Sequence, residues 1–272
     1  MPATAWLLVM LILPLVVVVV FSFGERGPAG GYVPAFTLAQ YANLPARLTA
    51  FKNTLLLAPM GTLLCLLVAY PLAYFLAVKV DPKWKTMLLV MIIVPFWTSI
   101  LIRTYAWIFI LGGQGLPKLL ELVGIDGVRM INTRFSVLTG IVYGYMPLMV
   151  FPIYVSLEKL DKRLLEAAAD LGSSPLKAFR SITLPLSIPG IATGCILVFI
   201  YLMGEFLIPA LLGGGKVFFI GNALVDLFLQ SRNWAYGSAV AMTLVIIMLI
   251  TISLYMKLVM GNSNQRKDVS LL

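Results

Sequence analysis

The chain has 272 residues, of which 61% are hydrophobic and only 11% charged, and it carries a net charge of +9. Soluble domains are about half apolar and a quarter charged, so this composition excludes an ordinary soluble domain and fits a polytopic membrane protein. The sequence has no His, and Cys65 and Cys195 each lie inside an apolar run, which excludes the commonest general base and metal ligand as well as a disulfide framework. The basic residues gather at the ends of apolar runs, where they set topology and meet anionic lipid, and form no basic-aromatic surface for nucleic acid.

A membrane span needs about 20 mostly apolar residues. The first candidate is residues 4–23. A signal peptide is the competing reading, but the stretch lacks a basic start and an A-x-A site and its apolar run is too long, so an uncleaved first span is expected. Residues 24–47, rich in Gly, Pro and polar residues, predict an extramembrane loop with a short helix around 38–44. The second span is expected over 51–78, kinked by Pro59 and Pro71. The turn that follows, KVDPKWK at 79–85, holds three Lys in seven residues, a cytoplasmic signal.

The third span starts near Met87 and enters PFWTSILIRTYAW (95–107), whose Trp, Tyr and Arg content predicts the outer interface and an interfacial helix onward to Leu111. Residues 112–134 read as a second loop, 135–154 as the fourth span, and 188–208 as the fifth. The apolar stretch 206–233 is broken by Gly213, Gly214, Gly215 and Lys216, which predicts a re-entrant or surface-lying segment on the outer side. The last span is 236–258, and a polar tail, 261–272, is expected to be mobile. The fold class is therefore an all-α membrane protein with six transmembrane helices in one domain (1–272), both termini on one side. Placing the 79–85 turn, the 158–185 loop and the tail in the cytoplasm, with Lys257 at the end of the last span, puts 11 of the 20 Lys and Arg inside. The density in the short loops favours this more than the total does.

Between the fourth and fifth spans, nine charged residues crowd into 158–180. Helix formers run from Leu164 to Leu171, and Gly172 interrupts them. Ser173 or Ser174 can cap a second helix with Pro175 in its first turn. That helix is expected over 176–182, with Leu184-Pro185 ending it before the fifth span. The product is helix, sharp turn, helix: a stiff knob in place of the solvated connector that most such loops are.

The spacing is specific. Glu166-Ala167-Ala168, Gly172 and Ile182-x-Leu184-Pro185 stand at the offsets of the loop that marks permease subunits of bacterial ABC importers, and the chain resembles that family over about twenty residues here without a gap. The resemblance implies a type I ABC importer permease fold and a cytoplasmic coupling helix docking on a separate ATPase. Glu166, Ala167, Ala168, Gly172, Leu176, Ile182, Leu184 and Pro185 are its coupling residues. The two Ala allow close approach, Gly172 supplies a turn that a Cβ would hinder, and Glu166 caps or pairs within the knob or meets the ATPase. PFWTSILIRTYAW, SLEKLDKRLLEAAADLG and GEFLIPALLGGG also resemble the spermidine/putrescine permease branch, and within it the first of two paired permeases. That branch includes importers of other cationic or amino-containing solutes. The implied partners are a second homologous permease, two ATPase subunits using ATP and Mg, an extracytoplasmic solute-binding protein and a small cationic solute. No cofactor is expected in this chain, and the implied location is the bacterial inner membrane with both termini cytoplasmic.

The nearest approach to a phosphate loop, Gly213-Gly-Gly-Lys216, has Ala210 where the first Gly belongs and Val217 in place of Ser or Thr, so the energy must come from a partner. For the solute path, Glu205 is the leading residue, expected in the outer half of the fifth span. A carboxylate at a helix centre costs about 2.5–3.5 kcal/mol and so faces a cavity or a partner. The competing role is a structural pair with a base such as Arg103. Tyr201, Tyr143, Tyr145, Trp97 and Tyr105 offer cation-attracting ring faces, against the alternative of packing or an interfacial belt. Asp226 either meets solute or binding protein or is a solvated loop charge. GIVYG (140–144) and GIATG (190–194) predict close helix seams, within the subunit or against the partner permease. An ion-driven carrier or channel is the distant alternative, and it would want acidic relays or filter repeats where only Glu205 stands in a span.

Overall fold

The computed structural model describes residues 2–269, without the side chains of 2–5, 162 and 259–269. Helix α1 (Pro2–Ser22) is 21 residues long, about 31 Å at the α-helical rise, which matches a bilayer core. A two-residue hairpin follows, β1 (Glu25–Arg26) antiparallel to β2 (Tyr32–Val33). Then come α2 (Ala39–Ala42), inside the expected short helix, and a 3-10 turn at Leu44–Arg47. α3 (Leu48–Tyr74) holds Pro59 and Pro71 and winds on into a π turn at Phe75–Lys79.

α4 (Pro82–Trp97) starts five residues before Met87. Asp81 caps it, accepting from the Lys83 N–H at 3.1 Å, and Pro82 takes the first helical position, where its missing N–H costs nothing. The chain extends at Thr98 and resumes as α5 (Ile100–Leu111), a helix over the residues where an interfacial one was expected; Pro82–Trp97 and the following stretch Ile100–Leu122 are bent by 89°. α6 (Leu116–Leu122) lies inside the stretch read as a loop, and α7 (Arg134–Glu158) is the fourth span. α8 (Lys162–Asp170) and α9 (Pro175–Ala178) make the knob. α10 (Leu184–Met203), α11 (Leu207–Leu212), α12 (Ile220–Val225) with a π turn at Asp226–Gln230, and α13 (Trp234–Val269) complete the chain. α13 is helical through 261–269, where the tail was expected to begin; 270–272 lie outside the described residues.

Four helical stretches, 44–79, 134–158, 175–203 and 234–258, are long and apolar enough to cross a membrane. The bent pair Pro82–Trp97 and Ile100–Leu122, counted as one span, makes a fifth, and Trp6–Ser22 is a shorter apolar helix. Apolar helices thus stand at all six expected places. Two details differ. First, Leu184-Pro185 does not end the second knob helix: α9, a π turn at Phe179–Thr183 and α10 form one 29-residue helix. Pro185 has no N–H for the Ser181 carbonyl and its ring crowds that turn, and the widened turn carries the axis past it. Second, the fifth span stops at Met203, leaving Glu205 in a break between α10 and α11.

The chain forms two compact units. The first comprises Met1–Leu55, Met203–Phe206 and Phe218–Leu272. In it α1 packs along α13, and Phe21 stacks on Tyr32 at 4.2 Å between centroids and lies parallel to Trp234 at 6.3 Å. The Tyr41 hydroxyl donates to Ser22 Oγ and the Tyr236 hydroxyl to the Asn43 carbonyl. The second unit comprises Leu56–Leu202 and Leu207–Val217, and α7 is its centre. Val137, Ile141, Met149, Val150 and Ile153 are fully buried, a helical stripe of the kind that seats one helix among others. Small residues set the closest approaches. A Cβ on Gly190 would lie 2.5 Å from the Pro152 carbonyl oxygen, one on Gly194 2.7 Å from Met149 Sδ, and one on Gly140 2.5 Å from Leu212. Both glycine stretches therefore form seams inside the subunit.

Candidate functional site

The knob is built from local signals. Asp161 caps α8 by accepting from the Arg163 N–H at 3.0 Å. At the other end Gly172 adopts φ +74°, its N–H reaches the Ala169 carbonyl, and the Ser173 N–H reaches that of Ala168, both at 2.9 Å. This pair of reversed bonds is a Schellman closure, which favours glycine at the left-handed position. Ser174 then caps α9, accepting from the Lys177 N–H at 3.4 Å, with Pro175 first in the helix. The turn is thus closed on both sides by hydrogen bonds, and α8 packs back on α9.

Two sets of contacts tie the knob to the spans of its unit. The Phe179 ring meets Tyr70 and Tyr74 of α3 edge-on, each at 5.8 Å, and the Tyr70 and Ser187 hydroxyls share a hydrogen bond of 3.0 Å. At the base, Lys85 Nζ donates to the Ala77 carbonyl at 2.9 Å and lies 3.7 Å from Glu158, which also accepts from Tyr154. The 79–85 turn and the 158–185 loop therefore lie at the same end of α7. At its other end, the Asn132 N–H and Ser136 Oγ both reach the Leu212 carbonyl, so the loops around 132 and 213 belong there.

The surface that the knob presents mixes charge with uncovered apolar groups. Glu166, Ala167 and Gly172 are exposed, Ala168 is half-buried, and Leu164, Leu171 and Leu176 are exposed at 46%, 87% and 59%. Ile182 and Pro185 are half-buried and Leu184 is exposed at the start of the fifth-span helix. The expected coupling residues therefore divide between a presented turn and the helix that would carry its motion.

The expected path residues are scattered. Glu205 is buried in the break after α10. A Cβ on Gly221 would lie 2.5 Å from its carbonyl oxygen, and Asn222 Nδ2 donates to the neighbouring Phe206 carbonyl at 2.7 Å. Asp226 is no free loop charge: it pairs with Arg47 at 2.9 Å. Tyr201 and Tyr145 have ring centroids 6.1 Å apart, and Tyr143 meets Trp107 edge-on at 5.6 Å. Trp97 and Tyr105 are exposed at 82% and 46%. The Arg103 guanidinium lies over Phe96 and Tyr143, 5.4 and 5.8 Å from the ring centroids. Gly213 to Gly215 form a tight turn, with Gly214 and Gly215 at φ +54° and +75°. Among the described residues no cluster of three His, Cys, Asp or Glu could hold a metal.

Sequence reasoning missed Phe179, the Lys85–Glu158 contact, and the Asn53, Thr54 and Asn222 side chains that hold the start of α12. A signal existed for the last group: polar residues with no helical stripe inside apolar stretches.

Residues 69–269 match the family described as binding-protein-dependent transport system inner membrane component. The chain belongs to that family. It is accordingly a multi-pass inner-membrane component of a transport system. The permease is 40% identical over 256 residues to the spermidine/putrescine transport system permease protein PotB of Haemophilus influenzae, covering 92% of this chain and 89% of the relative. It is 41% identical over 255 residues to PotB of Escherichia coli (strain K12), covering 92% of each. A chain in the crystal structure of a bacterial alginate ABC transporter, in complex with an alginate pentasaccharide-bound periplasmic protein, superposes with a TM-score of 0.79 at 17% identity, over 94% of this permease and 91% of that chain. The fold is that of an ABC importer permease, as the resemblance in the 158–185 loop implied.

Proposed function

We propose that this permease is the first of two paired membrane subunits of an ATP-driven importer that carries a polyamine, putrescine or spermidine, inward by alternating access. The observation that carries this reading is the near full-length similarity to the two spermidine/putrescine permease proteins. ATP and Mg are held by two partner ATPase subunits, and an extracytoplasmic binding protein captures the solute. The Lys-rich turn, the knob and both termini lie in the cytoplasm. Closure of the ATPase pair pushes on α8 and α9. Because α9 runs without a stop into α10, the push is delivered to the fifth span itself.

This division of labour fits the sparse charge of the path. A membrane path must release its solute, so tight capture belongs outside it, and a few ring faces with one buried carboxylate suffice for passage. The test is ATP hydrolysis by the reconstituted complex with its binding protein. Putrescine or spermidine should stimulate it; stimulation by an amino acid with no response to either polyamine would overturn the reading.

A further inference from the structure

At the bend between α4 and α5 an arginine is held by rings. The Arg103 guanidinium lies within 6 Å of the Phe96 and Tyr143 centroids, the range in which ring faces attract organic cations, and Trp107 closes on Tyr143 edge-on. Arg103 Nε is buried with no hydrogen-bond partner, so the rings hold the group without satisfying it. Beside Trp107 and Tyr143 opens a cavity of about 540 Å³, walled by Met60, Leu64, Phe135 and Met146 among others, with no charged side chain in its lining. A cation place next to an apolar trough is the complement of one chemistry: an ammonium head on a methylene chain. The guanidinium and an incoming ammonium are like charges and cannot share the rings.

We propose that Phe96, Trp107 and Tyr143 form an alkylammonium site that Arg103 occupies from within the chain, and that the solute enters by displacing the guanidinium, its methylene chain lying along the adjoining cavity and its far ammonium held outside the cavity's open mouth, since an unpaired charge among these apolar side chains is costly. Arg103 thereby sets specificity: a solute must out-compete a tethered cation, which a small hydrated metal ion cannot do on ring faces. The site rests on the polyamine reading for its natural ligand.

The experiment uses the purified, assembled transporter without binding protein. Trp107 emission is obtained by subtracting the signal of Trp107→Phe, and 1,4-diaminobutane is titrated against the uncharged 1,4-butanediol. The wild type should respond to the diamine and not to the diol, and Tyr143→Leu should abolish the response. Arg103→Gln should bind the diamine roughly fivefold to tenfold more tightly, since ring faces contribute on the order of twofold to thirtyfold to a cation's affinity. Unchanged or weaker binding by Arg103→Gln, or equal binding of the diol, makes Arg103 an interfacial anchor and overturns the proposal. Should that variant fail to assemble, the wild type decides: no response to millimolar diamine overturns it equally. Diamine binding at the rings without polyamine-stimulated ATP hydrolysis removes the transport reading and leaves the site, whereas stimulated hydrolysis without ring binding removes the site alone.

Discussion

Lys85 Nζ stands 3.7 Å from the Glu158 carboxylate while donating to the Ala77 carbonyl, so one ammonium joins the end of the second span, the start of the third and the end of the fourth. Glu158 is the last residue of α7 before the knob, so the contact lies at the knob's base. With side-chain exposures of 15% and 47%, the pair itself contributes under about 1 kcal/mol. Glu158→Gln should therefore leave thermal stability nearly unchanged. It should also loosen the base of the knob, raising ATP hydrolysis in the absence of binding protein relative to uptake. An unchanged ratio of hydrolysis to uptake would show that the base needs no such brace.

Gly172 offers a cleaner test of the knob's stiffness. A Cβ there meets nothing within 4 Å, so only its φ of +74° resists substitution. Asn tolerates that region and β-branched residues do not. Gly172→Asn should transport at near wild-type rates, and Gly172→Val should lose most uptake while still reaching the membrane. Equal activity in the two variants would mean that the closed turn is dispensable.

The two seam glycines should differ. At Gly190 an added methyl meets the Pro152 carbonyl oxygen and Ser156 Cβ, at 2.5 and 2.6 Å; at Gly194 its nearest neighbour is the sulfur of Met149, part of an adaptable side chain, and the nearest backbone atom is 3.3 Å away. Gly190→Ala should cost about 1–3 kcal/mol and Gly194→Ala distinctly less, read as melting temperatures of the detergent-solubilised protein. The reverse order would contradict the packing described for α7 against α10.

Asp226 and Arg47 are about a third and a quarter exposed as a pair, so Asp226→Asn should lower stability by about 1 kcal/mol or less without altering which solutes are carried. The charge-reversed double variant should recover the loss. A change in solute preference in Asp226→Asn would return this carboxylate to the transport path.

Glu205→Gln keeps size and hydrogen bonding while removing the charge. Uptake of a cationic solute should fall roughly tenfold, the effect of about 1.4 kcal/mol, with assembly and ATPase docking intact on co-purification. Full uptake in this variant would assign Glu205 to holding the break between α10 and α11.

Which parts of this molecule were legible in its sequence follows from the range of the forces involved. Apolar runs of span length must become helices in a bilayer because backbone groups have no other partner there. The six helical positions and the helix–turn–helix at 162–183 rest on hydrophobicity, caps and one glycine within a few residues of each other. Three decisions waited for tertiary structure. Asn222 and Gly221 hold the chain open at Glu205, sixteen residues away along the sequence, so the fifth span ends earlier than its apolar run. Arg103, just past the 89° break, lies over Phe96 and Tyr143, rings carried by two other helices. Helix α9 flows into α10, past a proline that reads locally as a stop, while Phe179 is seated between tyrosines more than a hundred residues upstream. Propensity and capping act over a single helical turn, whereas the choice of partner for a polar or aromatic side chain depends on which distant segment arrives beside it.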